Sequence, residues 1–126
     1  MGTIRYIVKD VDAAVEFFIS QLGFELDQQF GPAIAILRGH GIELWLAGPP
    51  ASASRPMPDG SKPEPGGWNR LVITVDDIHV TVERLRAAGT TFRNEVLLGP
   101  GGSQILCEDP SGNPIEIFQP ADQPII

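Results

Sequence analysis

The sequence predicts an α+β fold of two tandem β-α-β-β-β modules whose mixed sheets curl around a cavity. Three observations carry that expectation: an internal repeat, an Asp-capped amphipathic segment in each copy, and three β-rich stretches after each such segment. Ile4-Arg5-Tyr6-Ile7-Val8-Lys9-Asp10-Val11 aligns with Leu71-Val72-Ile73-Thr74-Val75-Asp76-Asp77-Ile78 at a constant offset of 67, and Val15 recurs as Val82. A chain of 126 residues is long enough to bury a core without a disulfide or zinc.

Each copy opens with a short β-rich stretch and reaches an Asp suited to cap a helix, Asp10 or Asp77. The helices then run to Gly23 and Gly89, glycines that terminate a helix readily. Helical spacing puts Val11, Val15, Phe18, Ile19 and Leu22 on one face of the first, and Ile78, Val82, Leu85 and Ala88 on one face of the second. Strand-like stretches follow at 24–30, 33–37 and 42–47, and again at 91–96, 104–108 and 114–119. Gly31-Pro32, Gly39-His40-Gly41, Gly99-Pro100-Gly101-Gly102 and Asp109-Pro110-Ser111-Gly112-Asn113 read as the turns. One domain is expected over 1–126, with module one at 1–47, a connection at 48–67, module two at 68–120 and a tail at 121–126. Ten of the twenty connection residues are Pro or Gly, which reads as a flexible linker, with a lid as the alternative.

Composition narrows the function. Sixteen acidic against nine basic residues give a net charge of -7, which disfavours nucleic acid as a partner. No apolar run approaches the ~18 residues of a membrane span, and the N-terminus lacks the layout of a secretion signal. A cytoplasmic protein is the expectation. The single cysteine, Cys107, excludes an internal disulfide and a multi-thiolate metal site, and it reads as a small buried apolar residue.

A β-α-β-β-β unit covers one sheet face with its helix and leaves the other bare, so two units are expected to turn their bare faces into a shared cavity. Period two assigns Ile4, Tyr6 and Val8 to the helix side and Thr3, Arg5 and Ile7 to the cavity side. The same alternation turns Arg70, Val72 and Thr74 inward, and on the last strands Glu43, Trp45, Glu116 and Phe118.

The chain resembles the vicinal oxygen chelate superfamily, the glyoxalase/bleomycin-resistance/dioxygenase proteins, over essentially its full length. The resemblance lies in Val8-Lys9-Asp10-Val11, Phe17-Phe18, Leu22-Gly23-Phe24, Leu85-Arg86-Ala87-Ala88-Gly89 and, above all, Glu108-Asp109-Pro110-Ser111-Gly112-Asn113-Pro114-Ile115-Glu116. It implies the paired-module fold of that superfamily and a homodimer. In its metal-dependent members four inward positions hold the ion, and these correspond here to Thr3, Glu43, Arg70 and Glu116. Two carboxylates remain, but an Arg has no acceptor and brings a competing charge, so no metal or other cofactor is expected. Arg70 is expected to neutralise Glu43, Glu116 or both.

His40, in a turn, and His79, on a helix, read as solvated histidines. Ser103 and Ser111 read as turn residues, and the Gly-Pro-Gly-Gly run as a hairpin turn, so no catalytic residue is assigned. Trp45, Trp68 and Phe118 offer flat faces for a planar ligand. The ligand-binding set is therefore Thr3, Arg5, Glu43, Trp45, Trp68, Arg70, Val72, Glu116 and Phe118. The expected function is metal-independent binding of a small aromatic molecule, as in the bleomycin-resistance proteins, sequestering a natural product or antibiotic. The alternative is a metal-dependent glyoxalase-type lyase or isomerase, or a dioxygenase, that uses the two glutamates with a further ligand.

Overall fold

In the structure, a computed structural model that describes residues 1–122, the chain forms two compact units. The first comprises Met1–Gly67 together with Pro110–Asn113; the second comprises Trp68–Asp109 and the described residues from Pro114 onward.

The first unit runs β1 (Gly2–Ile7), α1 (Val11–Leu22), β2 (Glu25–Phe30), β3 (Ile34–Gly39) and β4 (Ile42–Ala47). Its sheet has the order β1-β4-β3-β2, with β1 parallel to β4 and the other pairs antiparallel. Asp10 caps α1 by accepting from the Ala13 N–H. At the other end Gly23 takes the left-handed conformation, φ 73°, and the N–H groups of Gly23 and Phe24 both close on the Phe18 carbonyl. The buried face of the helix is Val11, Ala14, Phe18 and Leu22, so Ala14 takes the place expected of Ile19, which lies exposed. Phe18 is the centre of the core. Its ring meets Tyr6, Phe17 and Phe24 edge to face at 5.3–6.1 Å, an arrangement that suits the ring quadrupoles.

The second unit runs β5 (Leu71–Thr74), α2 (Ile78–Ala87), β6 (Thr91–Phe92), β7 (Leu97–Gly99), β8 (Gly102–Glu108) and β9 (Pro114–Pro120). Its sheet has the order β5-β9-β8-β6, with β7 also pairing β8, and β5 is parallel to β9. Asp77 caps α2 by accepting from the His79 and Val80 N–H groups. The helix ends in a Schellman closure, with the Thr90 N–H on the Leu85 carbonyl and the Gly89 N–H on the Arg86 carbonyl. Ile78, Val82 and Leu85 are buried against a core that includes Leu71, Ile73, Ile105, Ile115 and Ile117, whereas Ala88, expected on that face, is exposed.

Two expectations about the chain path change. Of the strand expected over 91–96 only β6, Thr91–Phe92, forms, and the chain rejoins β8 as β7 only from Leu97, because five residue steps from Phe92 to Leu97 face three from Cys107 to Gln104. The ladder is bridged across this two-residue excess by the Arg93 N–H on the Leu106 carbonyl and by the Asn94 side chain, which accepts from the Leu106 N–H. Ser103 lies in β8 and not in a turn.

The connection is also not a free linker. Gly48 N–H bonds the Ala33 carbonyl, Ser54 Oγ donates to the Gly48 carbonyl, and residues Ser52–Ser54 form a 3-10 turn. A Cβ at Gly48 would run into the Pro32 carbonyl oxygen, so glycine is required where the strap leaves β4. Further on, Asp59 accepts from both the hydroxyl and the N–H of Ser61, which lowers its carboxyl below the usual range.

The far end of the strap is held by the Pro110–Asn113 turn. Asn113 is buried; its Nδ2 donates to the Ile7 carbonyl at 2.7 Å, and its Oδ1 accepts from the Gly66 N–H at 2.8 Å. Ser111 Oγ accepts from the Lys9 N–H at 2.8 Å. The Asn113→Ala variant is expected to lose about 2 kcal/mol of stability, since it strands a carbonyl and an N–H together. Guanidinium denaturation reads this directly, and an unchanged midpoint would show that water replaces the amide without loss.

Candidate functional site

Each sheet carries one polar face opposite its helix. In the first, the β1–β4 register pairs Thr3 with Glu43 and Arg5 with Trp45. Trp45 Nε1 donates to Glu43 Oε1 at 3.0 Å, and the Arg5 guanidinium stands 5.1 Å from the centre of the Trp45 ring system. Glu43 also lies 4.0 Å from Arg38, its cross-strand partner on β3. Arg5, Trp45, Glu43 and Arg38 thus form one continuous strip, while Thr3 stands exposed at its end.

In the second sheet Val72 pairs with Glu116 and Thr74 with Phe118. Arg70, just ahead of β5, donates to Glu116 Oε1 through Nε at 3.1 Å and Nη2 at 2.8 Å, and through Nη1 to the Trp68 carbonyl at 3.2 Å. The Glu116 side chain is 11% exposed and that of Arg70 30%, so this pair is screened far less than a surface ion pair. The pairing expected of Arg70 is realised on Glu116. Trp68 is 69% exposed and lies under the Arg93 guanidinium, 4.8 Å from the ring centre, while Arg93 Nε donates to Glu108 Oε2 at 2.7 Å.

Arg38, Arg93 and Glu108 are absent from the set expected from sequence. Period two from Thr91, which pairs with Glu108, places Arg93 on that same face, so the signal was present in the strand pattern. The two glutamates also occupy different rungs. Glu43 faces Thr3, whereas Glu116 faces Val72, leaving Arg70 to reach along the strand from a position before it begins.

The donor set does not fit a metal ion. Arg70 already directs two N–H donors at Glu116, and among the described residues no group of three or more His, Cys, Asp or Glu could hold one. The histidines stand apart from these faces. His40, expected to be merely solvated, adopts φ 53°, packs edge-on to Phe24 and bonds the Leu22 carbonyl through Nε2; the carbonyl can only accept, so that nitrogen carries the proton. His79 is exposed on α2.

A pair of sheets, each with one helix and built by β-α-β-β-β connectivity, with a polar face on its first and last strands, defines a paired-module class of fold. The chain belongs to the Glyoxalase/Bleomycin resistance protein/Dioxygenase superfamily, whose family model matches residues 1–117. It is similar to a superfamily member from Sphaerobacter thermophilus DSM 20745, at 26% identity over 94% of this chain and 95% of that one, with a TM-score of 0.74. It is similar in fold to lactoylglutathione lyase from Agrobacterium tumefaciens, at 19% identity over 94% and 92% of the two chains and a TM-score of 0.74. The same holds for TnmS3, an antibiotic binding protein from Streptomyces sp. CB03234, at 24% identity over 94% and 93% and a TM-score of 0.70. A search of curated proteins by sequence found no match.

Two outcomes test this geometry. A double-mutant cycle of Arg70→Met and Glu116→Gln is expected to show a coupling of about 1 kcal/mol or more, because either single change leaves a largely buried charge without its partner. Additive losses would assign both side chains to solvent.

The second concerns Cys107, which burial pushes up to about 12 from its ordinary 9.0. The unfolded chain therefore loses this proton first. Stability attributable to the thiol is full below pH 9 and is lost as the pH rises from there toward 12. Cys107→Ala is expected to flatten the alkaline limb of a pH–stability profile.

Proposed function

We propose that this chain is a metal-independent small-molecule-binding protein that sequesters an aromatic natural product, and that it works as a homodimer. The observation that carries the reading is the pairing of Arg70 with Glu116: a guanidinium stands where a cation-binding relative would need a donor, and it satisfies the carboxylate by two charge-assisted hydrogen bonds. The aromatic preference is supported by the two indoles. Trp45 is fixed by Glu43 and Arg5, and Trp68 keeps most of its surface open while Arg93 orients it. An oriented indole stacks on a planar ligand at little cost in side-chain entropy. TnmS3 shows one use of this fold for antibiotics, which is an analogy of fold and adds nothing about the ligand here.

The test is a thermal-shift screen of the protein against aromatic antibiotics and, separately, zinc, nickel and manganese salts. An aromatic compound is expected to raise the Tm, since ligand at a hundred times its Kd stabilises the native state by about 2.7 kcal/mol. That compound should quench tryptophan fluorescence, and Trp68→Ala should weaken its binding by about tenfold with the fold intact, while Trp45→Phe isolates the Trp68 signal. Stabilisation by a metal alone would overturn the reading in favour of a metal-dependent enzyme. Sedimentation at micromolar concentration, in the same samples, is expected to give the dimer.

A further inference from the structure

The chain contains seven arginines but only two lysines, Lys9 and Lys62, and both line one cavity of about 370 Å³ in the first unit. Ile7 and Lys9, at the end of β1, form one side of it; Ser54, Pro56, Lys62 and Pro63, from the strap, form the other. Four of its nine lining residues are prolines and none is acidic among the described residues, although the protein as a whole is strongly acidic. None of the nine belongs to the two polar faces assigned above.

The two ammonium groups have no hydrogen bond or ion pair among the described residues, in contrast to Arg38, Arg70, Arg86 and Arg93, each of which has a carboxylate partner. In a molecule of net charge -7, both of its lysines line this one largely apolar space, and neither has a carboxylate partner among the described residues. The proline rings give walls that are apolar and already fixed in conformation, so filling the space between them orders little additional chain. The strap is itself anchored at both ends, by Gly48 on Ala33 and by Gly66 on Asn113, which keeps the walls in place. The volume lies at the lower end of the roughly 300–1,000 Å³ range of small-molecule sites.

We propose that this cavity is a second binding site, for a small aromatic carboxylate: the ring lies between the proline walls and Ile7, and the carboxylate is shared by Lys9 and Lys62. Lysine suits this role because its three donors rotate about a compact charge and impose no planar geometry on the anion. The site is independent of the reading of the two polar faces and stands or falls without it.

The test is an amide NMR titration of the full chain with 2-naphthoate, with neutral 2-naphthamide as the control. Naphthoate is expected to move the backbone signals of Lys9, Ser54 and Lys62 while leaving the indole N–H signals of Trp45 and Trp68 in place, and naphthamide to bind several-fold more weakly. The Lys9→Met, Lys62→Met double variant changes two exposed, unpartnered side chains and is expected to fold as the parent does. It should lose naphthoate affinity by about tenfold and keep its affinity for naphthamide. Unmoved signals at Lys9, Ser54 and Lys62 under millimolar naphthoate would overturn the proposal. So would a double variant that binds naphthoate as the parent does, or perturbation of the indoles in place of the strap.

Discussion

The side-chain amide of Asn113 closes three distant stretches of chain on one another. The turn supplies side chains to backbone groups of the other two stretches: the Asn113 amide takes the Ile7 carbonyl at the end of β1 and the Gly66 N–H at the end of the strap, and Ser111 takes the Lys9 N–H just beyond β1. An unsatisfied buried carbonyl or N–H costs more than the bond that satisfies it contributes, so the constraint acts mainly by excluding every other path of the turn. It gives a physical reason for the most distinctive stretch of this sequence. The residues between Asp109 and Pro114 need no catalytic role to account for them, since their polar side chains are engaged by backbone.

The polar faces show a division of labour within each strand. Alternate residues of β4 build the core, with Leu44 and Leu46 fully buried, while Glu43 and Trp45 between them bond each other. On β9, Ile115 and Ile117 are likewise buried and Glu116 turns to Arg70. The helix-side residues fix the backbone that aims the polar ones, so placement of the charged pair rests on the packing beneath it. The difference in rung between Glu43 and Glu116 shows that two copies of one plan have diverged in register without changing face, because a shift of two residues preserves the pleat.

Much of this was legible in the sequence because it is local or strictly periodic. The caps at Asp10 and Asp77, the αL glycine at Gly23 and the burial of Leu44 and Ile117 follow from spacing alone. What escaped depends on partners remote in sequence. Nothing near Asn113 indicates that it will bond Ile7 and Gly66, and nothing in Gly39-His40-Gly41 indicates that the imidazole will take a helix carbonyl. Ile19 reads as a core residue because it stands four residues after Val15 and three before Leu22, yet it lies about 100° around the helix from Phe18, and the buried face falls instead on Val11, Ala14, Phe18 and Leu22. Arg93 lies on the right face by strand alternation, but its stacking over Trp68 and its hydrogen bond to Glu108 again depend on partners remote in sequence.

The irregularity between β6 and β7 has a counterpart in the other sheet, where the β2–β3 register slips between Leu26 and Gln28. Both slips fall on outlying strands of their sheets, which also carry exposed apolar groups, among them Phe30 and Leu98. A flat edge of that kind would be a template on which another polypeptide could extend the sheet, the first step toward insoluble aggregates. Here the template never runs more than a few residues before its hydrogen-bonding phase is lost. The irregularities in the two ladders thus break up the flat edges on which such pairing would build.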